Sequence, residues 1–158
     1  MSELRSSSFR IGRRTVLLSV GAALLASPAW ANGPQVVVHK TPTCGCCTGW
    51  VRHMQASGFT VRVVEHDDLT PVRTRLRAPD AVASCHIAEV GGYFVEGHVP
   101  AADVTRLLAE RPRARGIGVP GMPGGSPGME RPDGRVQPYR TLLVDRAGAV
   151  SVWAEHGG

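Results

Sequence analysis

Runs and alternations of apolar residues predict an α/β fold from about residue 35 onward. The β-branched run at 35–40 predicts a buried strand, and the apolar positions of 59–64 predict a second one. Between them, Trp50, Val51 and Met54 recur at helical spacing. Two strands joined through a helix of this length form a βαβ unit, so we expect the two strands to be parallel.

The predicted helix has recognisable boundaries. Thr41-Pro42-Thr43 breaks the preceding strand, and the Thr43 hydroxyl could cap a helix that begins at the next residues, the cysteines. Gly58 suits the left-handed position just past a helix C-terminus. The helix should therefore run from the cysteines to shortly before Gly58.

The rest of the chain adds shorter elements, separated by glycine and proline. We expect a mixed sheet flanked by helices, which ends in a β-hairpin. The predicted elements are a helix at 72–76, strands at 87–90 and 93–95 around Gly91-Gly92, a helix at 101–110, and hairpin strands at 141–144 and 150–153.

Residues 116–138 are dense in glycine and proline and should lack regular structure. A segment of this length without regular structure is either a functional loop or disordered. It contains Met122 and Met129, for which such a segment offers no core. Exposed thioethers can bind Cu(I), although an ordinary flexible loop explains them equally well.

Residues 1–31 have the composition of an export signal. Arginines, including the Arg13-Arg14 pair, precede the apolar run 16–26, which is much shorter than the ~20 residues that span a bilayer. Ala29-Trp30-Ala31 follows as a cleavage pattern of small residues. We expect a signal of the general secretory or twin-arginine type, cleaved before Asn32 and leaving a single domain, 32–158, in the periplasm without a stable membrane anchor.

The charge balance gives no support for nucleic-acid binding. Four of the 18 Lys+Arg residues and one of the 13 Asp+Glu residues lie in the leader, so the exported chain keeps 14 basic and 12 acidic groups. The eight aromatic residues do not interleave with basic residues. We therefore expect no nucleic-acid partner.

Three of the four cysteines are crowded into Cys44-Gly45-Cys46-Cys47, and the fourth is Cys85. Two disulfides are the ordinary expectation for an exported chain, but at most one clustered cysteine can reach Cys85. The other two must pair locally or stay free. Crowding of this kind is more typical of metal or redox chemistry.

A strand that leads into Cys-x-x-Cys at a helix N-terminus is the thioredoxin-like arrangement, with Cys44 and Cys47 as the pair. The helix N-terminus stabilises thiolate, which is both the nucleophile and the metal ligand. Cys46 would compete in disulfide exchange, whereas it would help to bind a metal. Soft thiolates select Cu(I), and tetrahedral zinc is the alternative.

Histidines near the remaining cysteine extend the candidate ligand set. Cys85 could be a small buried residue, but the adjacent His86 favours a ligand role for the pair. His98, before a predicted helix, is either a ligand or a surface capping residue. His39 is expected in the core or at the surface, and Met54 in the core.

Five segments carry a family resemblance: His39 to Trp50, Ser84-Cys85-His86, Glu96-Gly97-His98-Val99-Pro100-Ala101, Gly118 to Pro123 and Ser126 to Glu130. Together they resemble the CopG-like periplasmic copper-resistance proteins over nearly the whole exported chain. The resemblance implies a thioredoxin-like domain, a role in bacterial copper tolerance and Cu(I) held by the clustered cysteines, with redox activity toward copper as a further possibility. It implies ligand roles for the four cysteines first, and then for His86, Met122 and Met129.

Three functions therefore stand as hypotheses. The first is a copper-binding resistance protein that works beside periplasmic copper export or oxidase proteins. The second is a thiol-disulfide oxidoreductase with Cys44 as nucleophile and Cys47 as resolving residue. The third is a zinc-stabilised module.

Overall fold

The computed structural model describes residues 33–158, so the predicted export signal lies outside the described residues. This part of the chain contains three α-helices and seven strands. In chain order they are β1 (Gln35–Lys40), α1 (Gly45–Ala56), β2 (Thr60–Glu65), α2 (Thr70–Leu76), β3 (His86–Val90), β4 (Tyr93–Glu96), α3 (Ala101–Glu110), β5 (Ala114–Gly118), β6 (Tyr139–Asp145) and β7 (Val150–His156), with a single 3₁₀ turn, Asp80–Val82, before β3.

All seven strands form one mixed sheet in the order β2-β1-β3-β4-β5-β6-β7. The β1–β2 and β4–β5 pairs are parallel, and the other four pairs are antiparallel. Each parallel pair is connected through a helix, α1 or α3, as parallel neighbours require. The predicted mixed sheet, the parallel βαβ unit and the terminal hairpin are confirmed.

The prediction of irregular structure from residue 116 is wrong for the first three residues, which belong to β5. A Cβ on Gly116 would collide with the backbone and ring of Phe94, and one on Gly118 would lie 2.8 Å from the Cβ of Val82. These glycines allow close packing and do not interrupt the strand. Residues 119–138 contain no helix or strand, as predicted.

The sheet buries an apolar cluster on each face. Alternate side chains of β1, such as Val36 and Val38, pack against Trp50 and Met54 of α1 and against α3. A smaller cluster on the other face lies beneath α2. Met54 is fully buried, which confirms its predicted place in the core. The end of the sheet where β1 meets α1 holds the cysteines.

Candidate metal centre

The short turn between β1 and α1 positions the three clustered cysteines. Cys44 precedes the first helical residue with extended backbone, and its N–H donates to the carbonyl of Thr41 at 3.2 Å. Among the described side chains none caps this helix, so the capping role predicted for Thr43 is wrong. The first helical turn therefore presents its free N–H groups beside the cysteines.

Cys44 and Cys47 form a disulfide, with Cα atoms 5.5 Å apart, whereas Cys46 and Cys85 are free thiols. The sequence left the pairing open. Cys46 Sγ lies only 3.4 Å from Cys44 Sγ, so it is placed to exchange with the disulfide.

Cys85 reaches the clustered cysteines from the loop before β3. Its Sγ is 3.6 Å from Cys46 Sγ and 3.7 Å from Cys47 Sγ, and the four sulfurs all lie within 4.8 Å of one another. Burial raises the pKa of Cys85 to about 12, and the neighbouring Cys46 adds to the shift. Because a bound cation would favour the thiolate, metal binding at this position would displace a proton.

Two fully buried histidines flank Cys85 on its other side. His98 Nε2 lies 3.1 Å from Cys85 Sγ, and His86 Nδ1 lies 3.4 Å from it. His98 Nδ1–H donates to the Pro127 carbonyl at 2.8 Å, so the Nε2 lone pair is directed at the sulfur. The placement of His98 favours the ligand interpretation over the surface capping one.

Burial disfavours the charged form of both rings. Burial, with a smaller effect of His98, lowers the pKa of His86 to about 3, and burial also lowers the pKa of His98. His86 Nε2 is buried without a hydrogen-bond partner in the described part of the chain, and its ring packs against Trp50 with centroids 4.7 Å apart. Neutral imidazoles are the form that ligates metals.

The segment 119–138 brings one methionine to the cysteines. Met122 Sδ lies 4.0 Å from Cys46 Sγ, and the Met122 side chain is 53% exposed. Met129 is half-buried on the same segment, where its backbone N–H donates to the Ser126 carbonyl at 2.8 Å. Met122 thus lies at the edge of the sulfur cluster, open to solvent.

This segment is seated directly on α1. A Cβ on Gly49 would lie 2.8 Å from the Cα of Gly128, and a Cβ on Gly128 would lie 2.8 Å from the carbonyl oxygen of Cys46. Gly128 also has φ +84°, which a residue with a side chain rarely adopts. The two glycines therefore set how closely the loop approaches the cysteine helix.

An ion pair between Glu96 and half-buried Arg73 fixes the loop that carries Cys85. Glu96 is fully buried; it accepts from Arg73 Nη2 at 2.7 Å and from the backbone N–H of Ser84 at 2.8 Å. Arg73 Nη2 also donates to the Ser84 carbonyl at 2.6 Å. Burial raises the pKa of Glu96, and Arg73 opposes that rise. Sequence reasoning missed both residues, although a glutamate after the apolar strand positions Phe94 and Val95 was an available signal.

Fold and site together define a small mixed α/β protein with a thiol-rich candidate metal centre. The four cysteines form one group of potential ligands, and Cys85, His86 and His98 form a second group that shares Cys85. Among residues 33–158, no helix combines the length and apolar character needed to cross a membrane.

Comparisons with known proteins identify the family. A solved structure named copper resistance protein CopG, form 1, is 45% identical, with a TM-score of 0.74, and the match covers 78% of this chain and 98% of that one. Form 2 of the same protein is 44% identical, with the same TM-score and coverage. A family model described as "Protein of unknown function, DUF411" matches residues 82–129. No curated protein sequence matches the chain. The chain belongs to the CopG family of copper resistance proteins.

Proposed function

We propose that this protein binds Cu(I) through the thiolates of Cys44, Cys46, Cys47 and Cys85 and contributes in this way to copper resistance. One observation carries the proposal: four sulfurs from two distant segments converge within 4.8 Å. Membership of a copper resistance family supports copper as the metal. Thiolates are soft ligands that favour Cu(I), and sulfurs this close can bridge several ions.

The other candidate ligands belong to the border of this sulfur cluster. His98 and His86 are proposed as nitrogen donors beside Cys85, since both present ring nitrogens within 3.4 Å of its sulfur. Met122 is proposed as a thioether at the exposed edge, through which copper could enter. Met129 is proposed as a ligand only after a movement of its loop, because the described contacts bring Met122 to the cysteines instead.

The disulfide links copper binding to redox state. While Cys44 and Cys47 are joined, only Cys46 and Cys85 are free to bind as thiolates. Reduction by an external dithiol supplies two electrons and two protons, cleaves the S–S bond and releases two thiols. The full four-sulfur site then forms, and we propose that it can also exchange electrons with copper, interconverting Cu(I) and Cu(II).

The architecture supports a thioredoxin-like assignment for the first part of the fold. The order β1-α1-β2-α2-β3-β4-α3 places the Cys44–Cys47 pair at the N-terminus of the first helix, beside a central strand. Strands β5, β6 and β7 extend that sheet. We propose a thioredoxin-like core whose extension carries the methionine loop.

The predicted export signal supports a periplasmic location. Periplasmic copper export proteins and copper oxidases are accordingly the proposed exchange partners, with copper ions as the cargo. A chain that carries copper between such proteins needs an accessible ligand at the rim of its site, and the exposed Met122 meets that requirement.

Thiol-disulfide oxidoreduction is the second candidate function, and the Cys44–Cys47 disulfide favours it. In this mechanism Cys44 attacks a substrate disulfide and Cys47 resolves the mixed disulfide. Turnover of an insulin or dithiol substrate by metal-free protein, retained in Cys46→Ser, would support it. Absence of turnover would exclude it.

A zinc-stabilised module is the remaining alternative. Zn²⁺ needs tetrahedral ligands, and four cysteines of this cluster could supply them after reduction. Protein isolated from copper-replete cells with one zinc and no copper per chain would establish this alternative. More than one copper per chain would remove it.

An anaerobic Cu(I) titration of the reduced chain against a strong chelator tests the main proposal. We expect tight binding of more than one Cu(I), greatly reduced in Cys46→Ser because Cys46 lies close to both Cys44 and Cys85. Met122→Leu should weaken binding much less, since it removes only an edge ligand. Binding no tighter than that of a simple dithiol, and unchanged in Cys46→Ser, would refute the proposal.

A further inference from the structure

A pair of histidines lies on the sheet face opposite to α1, near the end of β1 that leads to the cysteines. His39 Nδ1 of β1 is 2.8 Å from Nε2 of His66, which follows β2. The rings are tilted by 41°, with centroids 5.0 Å apart. His39 is buried and His66 is half-buried, so the pair is accessible to solvent on the His66 side.

The hydrogen bonds fix which nitrogens carry lone pairs. His39 Nε2 lies 3.0 Å from Glu89 Oε1, and a carboxylate can only accept, so Nε2 carries the hydrogen. In neutral His39 the Nδ1 atom therefore carries a lone pair, which accepts a hydrogen bond from the Nε2–H of His66.

Glu89 is itself held in place. Both of its oxygens accept from the guanidinium of Arg75 on α2, at 2.8 and 3.0 Å. A histidine whose second ring nitrogen donates to an anchored carboxylate is the arrangement found around metal-binding histidines, because it fixes the ring and increases the basicity of the ligating nitrogen. His39 has this support already in place.

The spacing of the two nitrogens also fits a metal ion. Imidazole nitrogens bind divalent metals at about 2.0–2.1 Å, and two such bonds at a right angle place the nitrogens about 2.8–3.0 Å apart. An ion with bonds of about 2.0–2.1 Å cannot lie between nitrogens that face each other at 2.8 Å. The half-buried His66 ring must therefore turn until its Nε2 meets the ion from the side, while Glu89 keeps His39 in place. The hydrogen displaced from Nε2 moves to Nδ1 of His66 through solvent, so the ring stays neutral.

We propose that His39 Nδ1 and His66 Nε2 form a second metal site, which binds Cu(II) with water in the remaining positions. Imidazole is a harder ligand than thiolate, and among divalent first-row metals Cu²⁺ binds nitrogen sites most strongly. The protein would then hold two oxidation states of copper at chemically different sites. This site does not rest on the Cu(I) function proposed for the cysteines.

The test is electron paramagnetic resonance of Cu(II) added at one equivalent to a chain in which the four cysteines are serine, so that no thiol reduces the metal. We expect one Cu(II) per chain with hyperfine splitting from two nitrogens. His66→Gln should lose the two-nitrogen pattern and weaken binding at least tenfold. Glu89→Gln should weaken it by about tenfold while retaining both nitrogens, because it removes only the support of His39.

His156→Gln is the matched control, since it removes another half-buried histidine that lies in neither proposed copper site. A two-nitrogen signal that survives His66→Gln, or one that disappears in His156→Gln, would overturn the proposal. Circular dichroism confirms that each variant is folded. If the four-serine chain does not fold, wild type saturated anaerobically with Cu(I) is the second background. An unchanged Cu(I) titration of His66→Gln separates this site from the cysteine cluster.

Discussion

Substituting Gly49 by alanine tests whether the methionine loop is seated on the cysteine helix. The new Cβ would lie 2.8 Å from Gly128 Cα and 3.2 Å from the Gly128 carbonyl oxygen. Both contacts are with backbone, which cannot rotate away as a side chain can. The loop, the helix or both must therefore move.

Two opposing effects set the change in the free energy of unfolding caused by Gly49→Ala. Alanine is favoured over glycine in a helix by about 1 kcal/mol. Overpacking of a tight contact costs about 1–3 kcal/mol. Gly49→Ala should therefore range from neutral to about 2 kcal/mol less stable than wild type. Gly45→Ala, in the same helix but with no atom within 4 Å of its new Cβ, should be stabilised by up to about 1 kcal/mol.

Urea unfolding of the two metal-free variants measures this difference, and hydrogen exchange locates it. We expect the backbone amide of Met129, which donates to Ser126, to exchange faster in Gly49→Ala but not in Gly45→Ala. Cu(I) affinity should fall only in Gly49→Ala, since the loop also brings Met122 to the sulfurs. Equal stability and equal Met129 exchange in the two variants would refute the described seating.

Three further substitutions test other parts of the structure. Glu96→Gln removes the buried charge that pairs with Arg73, and urea unfolding should show a loss of about 1–3 kcal/mol; an unchanged midpoint would contradict the role of this pair. Trp50→Phe leaves the carbonyl that accepts from Trp50 Nε1 without its partner and should also cost about 1–3 kcal/mol in the same assay, whereas no loss would mean that water replaces the bond. Burial, aided by a nearby carboxylate, raises the pKa of Tyr139 to about 12. Its contribution to stability should be complete below pH 10 and disappear between pH 10 and 12, and phenolate absorbance should show a component near 12 that is lost in Tyr139→Phe but kept in Tyr93→Phe.

Local patterns predicted most of the secondary structure because the relevant forces are local. The run 35–40 is a strand with the predicted bounds, since its β-branched side chains pack on both faces of a central strand. The glycines of β5 were misinterpreted because their role depends on Phe94 and Val82, which come from other parts of the chain. Glycine allows a turn or a close approach equally well, and sequence alone does not distinguish the two.

The sequence predicted which residues belong to the candidate site, but not which of them bond or contact one another. The four cysteines, His86 and His98 were identified from residue type and spacing, and the structure brings them together. The spacing indicated Cys44 and Cys47 as the candidate redox pair, but it did not show whether they are joined, and Cys46 Sγ lies 3.4 Å from Cys44 Sγ as well. The pair of His39 and His66 depends on side chains 27 positions apart that meet only in the folded sheet.

The four sulfurs come together only after the sheet has formed. Cys85 lies directly before β3, 38 residues after Cys47 and 39 after Cys46, and the antiparallel pairing of β3 with β1 brings it back to them. In the unfolded chain Cys44, Cys46 and Cys47 remain close in sequence, but Cys85 is not held beside them. Whatever free energy the full site adds on binding copper is therefore also free energy of folding. Copper in its compartment would then act as a late folding ligand, which protects the loaded protein from proteolysis and leaves the empty chain easier to degrade.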